Sequence, residues 1–344
     1  MIEEIKIRSR KIGPKFPPFI IAEAGINHNG SLKIAKKMVD VAKVAGVSCI
    51  KFQTHIANQE MIQTNMLPGK ISKRTLWNII KDCELSESSE EKLFKYCKQK
   101  KILALSTPFS ISAVDRLEKF YLPAYKIGSG EITNIPFLDR IAKTKKPIIL
   151  SSGMSTLNEI KNALQIFKKN HNPISLLHTT SIYPTKYKDV RLGLIEKYRK
   201  LFGIPIGISD HSIGIYTAIA AVGLGASIIE KHFTLDKKMK GPDQKISLSP
   251  DELSELVIGC NAVKHAMGNT KTILPDEKPV MRFARESVVS INNILAGEIF
   301  TDENISTKRP GNGKIPAKLY FKVLGRKAKR DIKNNTQLQP NDII

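Results

Sequence analysis

Thiols, tryptophan and acidic side chains are all scarce in this chain of 344 residues. Its four cysteines, Cys49, Cys83, Cys97 and Cys260, share no CxxC spacing, which leaves no pattern for a disulfide scaffold or a thiolate zinc site and suits a reducing compartment. Thirty-two acidic residues face 55 lysines and arginines, a formal charge of +23. The excess lysines fall on the polar faces of helical patterns, with few interleaved aromatics and no recognition motif, so the charge reads as solvated surface that steers small anions and not as specific nucleic-acid binding. Apolar runs reach only strand length, so none approaches a membrane span. The first 18 residues alternate charge and apolarity, unlike a signal peptide, and the expected location is the cytoplasm. No dinucleotide-binding glycine fingerprint is present, and nothing calls for a redox cofactor.

What is present is a succession of eight short apolar runs, each ending in polar residues: 19–25 (FIIAEAG), 47–53 (VSCIKFQ), 102–107 (ILALST), 124–129 (AYKIGS), 147–152 (PIILSS), 174–179 (ISLLHT), 204–209 (IPIGIS) and 226–231 (ASIIEK). Amphipathic helical patterns separate them, as at 31–45, where Leu32, Ala35, Met38, Val39 and Ala42 share one face. The last helix opens on a capping box, Ser249 with Glu252 and Pro250 at the first turn. Strand-helix alternation repeated eight times predicts a (β/α)8 TIM barrel with its chemistry at the C-terminal rim of the strands. A doubly wound open sheet is the structural alternative, because counting strands does not prove closure. The connection from His55 to about Glu87, with a PGK turn, Trp77, Met61 and Met66, is unusually long and reads as a cover or an interface.

Composition changes near residue 267. The expected organisation is a barrel over 1–267, a linker over 268–284 and a small second module over 285–344. Two segments of that module echo each other, 294–305 and 332–343, with isoleucines at both ends and an apolar seventh residue. The polar tract 308–313, KRPGNG, reads as a loop presenting Arg309.

The rim supplies candidate chemistry. His211 and His232 end neighbouring strands, and two imidazoles so placed can share a divalent ion with room left for water and substrate oxygens. A single histidine in a loop is more often merely hydrogen-bonded; the pair is the signal. Lys51 and Lys126 are natural counter-charges for a phosphate or carboxylate, with Ser106, Thr107, Ser129, Ser151, Ser152 and Ser209 as donors around it. Strand-end capping is the plain alternative for any one serine. Glu23 and Glu230 either orient water or pair with the lysines, and Asp243 either accepts sugar hydroxyls or only shapes a turn.

In order along the chain, AEAGINHNG, IKFQT, STPF, KIGSGE, SSGM, HTTSIYPT, GISDHSIG, IEKHFTLD and GPD resemble the sialic acid synthase family, and the segment from ARESVVS to the end resembles its antifreeze-like, or SAF, domain. The resemblance covers nearly the whole chain. It implies an enzyme that condenses phosphoenolpyruvate with an N-acylated hexosamine, namely N-acetylmannosamine, its 6-phosphate or a 2,4-diacetamido-trideoxyhexose, releasing phosphate. It implies manganese, with magnesium or cobalt as substitutes, on His211 and His232. Phosphoenolpyruvate is then held by Lys51, Thr107, Lys126, Ser129, Ser152 and Ser209. Glu131, Gln53, Tyr183 and Asp243 face the sugar, Glu23 acts near the water of the metal, and Arg309 arrives from the partner's SAF domain in a swapped homodimer. The chain departs from the bacterial N-acetylneuraminate type at Ser181, where asparagine is usual, which leaves the acceptor sugar open. Two other readings compete: a barrel aldolase that binds pyruvate as a Schiff base on Lys51 or Lys126, and a carbohydrate-binding protein without turnover.

Overall fold

The computed structural model describes residues 4–68 and 74–344; Gly69 and Lys70 of the PGK turn lie outside the described residues. By compactness the chain divides into two units, Met1–Gly268 and Asn269–Ile344.

In the first unit a short antiparallel hairpin, β1 (Ile5–Ile7) and β2 (Arg10–Ile12), precedes eight parallel strands. These are β3 (Phe19–Gly25), β4 (Cys49–Thr54), β5 (Leu103–Pro108), β6 (Tyr125–Ile127), β7 (Ile148–Ser151), β8 (Ile174–Thr179), β9 (Ile206–Ser209) and β10 (Ile228–His232). They are ordered β5-β4-β3-β10-β9-β8-β7-β6, and the two end strands also lie beside each other, so the sheet is a nearly closed barrel ringed by helices. The order follows from right-handed strand-helix-strand units, each placing its strand next to the one before it.

The decisive feature is a change of chemistry along the inward-facing rows. Near the strand starts Phe19, Ile21, Cys49, Leu105, Ala124, Ile149, Leu177 and Ile228 form an apolar plug, closed from below by Ile5, Ile7 and Ile12 of the hairpin. Side chains alternate across a strand, so the next inward residue lies two positions on. Those residues are polar: Glu23, Lys51, Thr107, Lys126, Ser151, Thr179 and Glu230, all buried. The opposite faces carry the larger core shared with the helices, including Ile20, Ile50, Ala104, Ile148, Leu176 and Ile229.

Gly207 is the inward residue of β9 at the plug level. A Cβ there would stand 2.4 Å from the Ile228 carbonyl oxygen and 2.6 Å from Leu177 Cδ2. The backbone oxygen cannot step aside without breaking the ladder. Gly207→Ala is therefore expected to destabilise the barrel by about 3 kcal/mol or more, read as a lowered melting midpoint by circular dichroism; an unchanged midpoint would contradict this packing.

The second unit contains the helix Glu277–Ala284, inside the stretch read as linker, and then the antiparallel pair β11 (Ser287–Ser290) and β12 (Ile305–Lys308). The sequence echo has a structural counterpart. Ile294 and Ile332 pair through reciprocal backbone bonds of 2.9 and 2.8 Å, and Phe300 and Leu338, the seventh residues, are both fully buried. Ile305 joins them in a small separate core. Among the described residues no helix is long and apolar enough to cross a membrane.

Candidate functional site

Two ammonium groups and two carboxylates occupy the polar layer above the plug. Lys51 Nζ lies 2.6 Å from Glu23 Oε2, donates to Thr107 Oγ1 at 3.0 Å and stands 3.9 Å from Glu230 Oε2. Lys126 Nζ donates to Ser151 Oγ at 2.7 Å and lies 3.6 Å from Glu230 Oε1. Glu230 thus sits between both cations and also accepts from Ser209 Oγ at 2.9 Å. Burial works to raise its pKa, yet Lys126, Lys51 and the Ser209 hydroxyl outweigh it and hold it at about 2. Glu23 differs: burial dominates over its lysine partner and lifts its carboxyl to about 7. Burial pushes Lys51 down, but Glu23 and Glu230 more than offset this, and its pKa ends above the ordinary value; for Lys126 burial prevails and the shift is downward. Two cations against one firmly ionised carboxylate and one near neutrality leave the layer with an excess of positive charge, an environment suited to a small anion.

Beside this layer stand the imidazoles. The rings of His211 and His232 are 5.6 Å apart, and Tyr183 lies against His211 at 4.1 Å. His211 Nδ1 bonds the Thr180 carbonyl at 2.9 Å, so that nitrogen carries the proton and the Nε2 lone pair is left free. Burial lowers His211 to about 4 and pushes His232 well below the ordinary range, His211 adding to the effect on His232. Both rings are neutral at physiological pH. His232 Nδ1 is buried without a hydrogen-bond partner, its nearest carboxylate being Asp243 Oδ2 at 3.8 Å, and Glu230 Oε2 is likewise unbonded. Two neutral nitrogen donors with such orphaned atoms near them fit a divalent cation. Among the described residues no group of three or more His, Cys, Asp or Glu side chains gathers to hold a metal. The protein would supply two ligands and leave the remaining positions to water and substrate.

The other candidates arrange themselves around this centre. Gln53 Nε2 donates to Glu23 Oε1 at 3.0 Å, and Gln53 Oε1 is met by His55 Nε2 at 3.1 Å; His55 in turn bonds Glu60 and stacks on Phe109. Ser129 Oγ accepts from Gly153 N at 3.0 Å, and a Cβ on Gly153 would lie 2.2 Å from Ser181 Oγ and 2.6 Å from Ser129 Oγ, so only glycine lets both hydroxyls approach. Glu131, half-buried beside Gly128, is raised by burial to about 7 although Lys126 works against the shift. Asp243 is raised to about 6 by burial alone.

Two candidates are not gathered there, and a third belongs to the second unit. Ser106 faces the helices and bonds Thr54 Oγ1 at 2.7 Å. The Ser152 hydroxyl donates to the Leu177 carbonyl at 2.9 Å, one position past the inward-facing Ser151. Arg309 belongs to the second unit, where its Nε donates to the Ala284 carbonyl at 3.0 Å. Sequence reasoning missed the supports. Asp210 and Lys231 form a buried pair at 3.0 Å, with Lys231 also bonding Ser212 O at 2.7 Å, and thereby fix the loop that carries His211. Asn27 donates to the Phe233 carbonyl and Ser247 Oγ, tying the end of β3 to the segment after His232. The alternation rule applied through 230–232 would have found Lys231 as the outward neighbour of two inward residues.

A parallel barrel with a cationic layer and two neutral imidazoles at its C-terminal rim is a site suited to small anions. The comparisons with known proteins narrow this. The NeuB family model matches residues 38–272, and that of the SAF domain matches 285–344. The N,N'-diacetyllegionaminic acid synthase of Campylobacter jejuni is 41% identical over 92% of this chain and 97% of its own. Uncharacterized protein MJ1065 of Methanocaldococcus jannaschii is 41% identical over 100% of this chain and 99% of its own. The crystal structure of N-acetylneuraminic acid synthetase from Leptospira borgpetersenii, in complex with citrate, superposes with a TM-score of 0.75 at 35% identity, covering 82% of this chain and 96% of that one. The chain belongs to the NeuB family of sialic-acid-type synthases and carries a C-terminal SAF domain. The family's chemistry, condensation of phosphoenolpyruvate with an amino sugar, comes with that membership.

Proposed function

We propose that the enzyme joins phosphoenolpyruvate to a 2,4-diacetamido-trideoxyhexose, forming a nine-carbon 2-keto acid of the legionaminic type and releasing phosphate by C–O cleavage. The single observation that carries the pocket assignment is Glu230 lying 3.9 and 3.6 Å from two buried ammonium groups, which holds both cations at one depth. The 41% identity to a diacetyllegionaminic acid synthase, and Ser181 in place of a longer amide, favour that acceptor.

Lys51 and Lys126 bind and orient the phosphate and carboxylate of phosphoenolpyruvate, so that carbon 3 faces the open-chain aldehyde. His211 and His232 would hold a divalent cation, manganese first, which supplies Lewis acidity toward the aldehyde oxygen. As carbon 3 bonds to the aldehyde carbon, positive charge develops at carbon 2, and the firmly ionised carboxylate of Glu230 stabilises it. Water adds at carbon 2. Glu23, whose pKa of about 7 leaves a share of it ionised, takes the proton of that water in its carboxylate form and returns it to the former aldehyde oxygen; the carbon-2 hydroxyl then gives its proton to the departing phosphate, which leaves with the former enol oxygen as the keto group forms. Gln53, Glu131, Tyr183 and Asp243 line the sugar side, with Ser129 and Ser181 reaching past Gly153. We assign Arg309 to the N-acyl sugar through a swapped homodimer. The four buried free cysteines suit the reducing cytoplasm.

Phosphate release should be measured with N-acetylmannosamine, its 6-phosphate and the diacetamido sugar, each with and without manganese. Turnover is expected to need phosphoenolpyruvate, sugar and metal together and to be fastest with the diacetamido sugar; preference for either mannosamine would move the enzyme to another branch. Arg309→Ala is expected to raise KM for the sugar at least tenfold, from the loss of a charge-assisted hydrogen bond, with KM for phosphoenolpyruvate unchanged. An unaltered sugar KM would remove Arg309 from the site.

A further inference from the structure

A carboxamide side chain can turn over end for end within its own volume, because its oxygen and nitrogen simply exchange places; only its hydrogen-bond partners fix the direction. Gln53 is such a group, and it is gripped at both ends. Its nitrogen donates to Glu23 Oε1 at 3.0 Å, and its oxygen faces His55 Nε2 at 3.1 Å. Turned over, it would set its carbonyl oxygen against the Glu23 carboxylate. The contact with His55 decides between the two directions, since a ring nitrogen of histidine is either a donor or an acceptor.

His55 follows β4 directly and is 5% exposed. Its ring stacks on Phe109 with centroids 4.3 Å apart and planes inclined by 15°, which fixes the plane in which its two nitrogens point. The second nitrogen, Nδ1, stands 3.0 and 2.9 Å from the two carboxylate oxygens of Glu60, the last residue of the helix Ala57–Glu60. A ring with its single proton on Nδ1 would satisfy Glu60 and turn a bare lone pair on the Gln53 oxygen. Both contacts are hydrogen bonds only when Nε2 carries a proton and a further proton lies between Nδ1 and Glu60. The side chains of His55 and Glu60 are each 4% exposed, so a missing bond would leave a buried polar atom unsatisfied.

We propose that His55, backed by Glu60, is a positioning residue of the reaction: it donates from Nε2 to Gln53 and so keeps the amide N–H of Gln53 turned toward Glu23. This role, which rests on the assignment of Gln53 and Glu23 to the sugar and the water made above, is exerted through Gln53 and not on a substrate. Glu60 accepts at Nδ1 and holds the ring in register with the amide.

The test is steady-state kinetics on full-length variants, with manganese and whichever sugar of the panel supports turnover. His55→Phe keeps a ring on Phe109 and removes the donor; kcat/KM for the sugar is expected to fall about ten- to a hundredfold, the scale of a misdirected contact, with KM for phosphoenolpyruvate unchanged. A glutamine places its amide nitrogen near the position of Nε2, and an asparagine near that of Nδ1. His55→Gln should therefore recover most of the loss, and His55→Asn, which keeps only the contact with Glu60, should not. This pair decides the question even where His55→Phe does not fold. Gln53→Ala should lower the same parameter, and adding His55→Phe to it should lower it no further, because the two residues act as one unit. Additive losses in the double variant, recovery by asparagine in place of glutamine, or wild-type sugar kinetics in His55→Phe would overturn the positioning role while leaving Gln53 in the site. Wild-type sugar kinetics in Gln53→Ala would instead remove Gln53 from the site, and the role of His55 with it.

Discussion

Replacing Lys126 by methionine is expected to lower kcat/KM for phosphoenolpyruvate roughly a thousandfold, the scale of losing a preorganised charge from an excluded site. The ammonium group is buried, anchored to Ser151 Oγ at 2.7 Å and to the Ile127 carbonyl at 3.3 Å, and so is fixed before substrate arrives. Methionine keeps the length and loses the charge. Removing one partner of a buried ion pair costs about 3–5 kcal/mol when the other is stranded. Glu230 retains Lys51 at 3.9 Å and Ser209 at 2.9 Å, so the fold should survive with a lowered melting midpoint. The same lysine distinguishes the condensing mechanism from a pyruvate aldolase. Treatment with pyruvate and borohydride should leave the mass of the wild type unchanged, whereas a stable adduct on Lys126 or Lys51 would establish Schiff-base chemistry in place of the present account.

His211→Ala and His232→Ala should each remove metal-dependent turnover. Lewis-acid assistance is worth several kcal/mol, on the order of a thousandfold in rate. Neither substitution is expected to unfold the barrel, because both rings are neutral and stand above the apolar plug rather than in it. Manganese titration by calorimetry should show one site in the wild type and a large loss of affinity in each variant, with circular dichroism unchanged. Full activity in both variants would remove the imidazoles from the site.

Much of this was legible in the sequence because a barrel strand changes from apolar to polar along one face. Ile21 then Glu23, Cys49 then Lys51, and Ile228 then Glu230 are two residues apart, and that period alone places three charged groups on the inner wall. What could not be read was the phase at strand ends. Ser151 and Ser152 look equivalent in sequence, as do Ser106 and Thr107, but a single residue of offset sends one to the lysines and the other to the helices. The supports were hidden for a different reason. Alternation marks Lys231 of β10 as outward-facing but not its partner Asp210, and nothing in the sequence pairs His55 with Glu60 of the helix that follows; only the folded backbone brings these groups together. The N-terminal hairpin went unrecognised because its alternation is only three residues long on each arm. In the second unit the echo was visible, but not that Ile294 and Ile332 would pair with each other.

The central claim is that a divalent cation and the enol phosphate meet in one pocket, where phosphate leaves from carbon 2. Phosphoenolpyruvate carrying ¹⁸O in its bridging position, turned over with the diacetamido sugar and manganese, tests it directly. Mass spectrometry is expected to find the label in the released phosphate; label retained in the keto acid would mean P–O cleavage and would contradict the account.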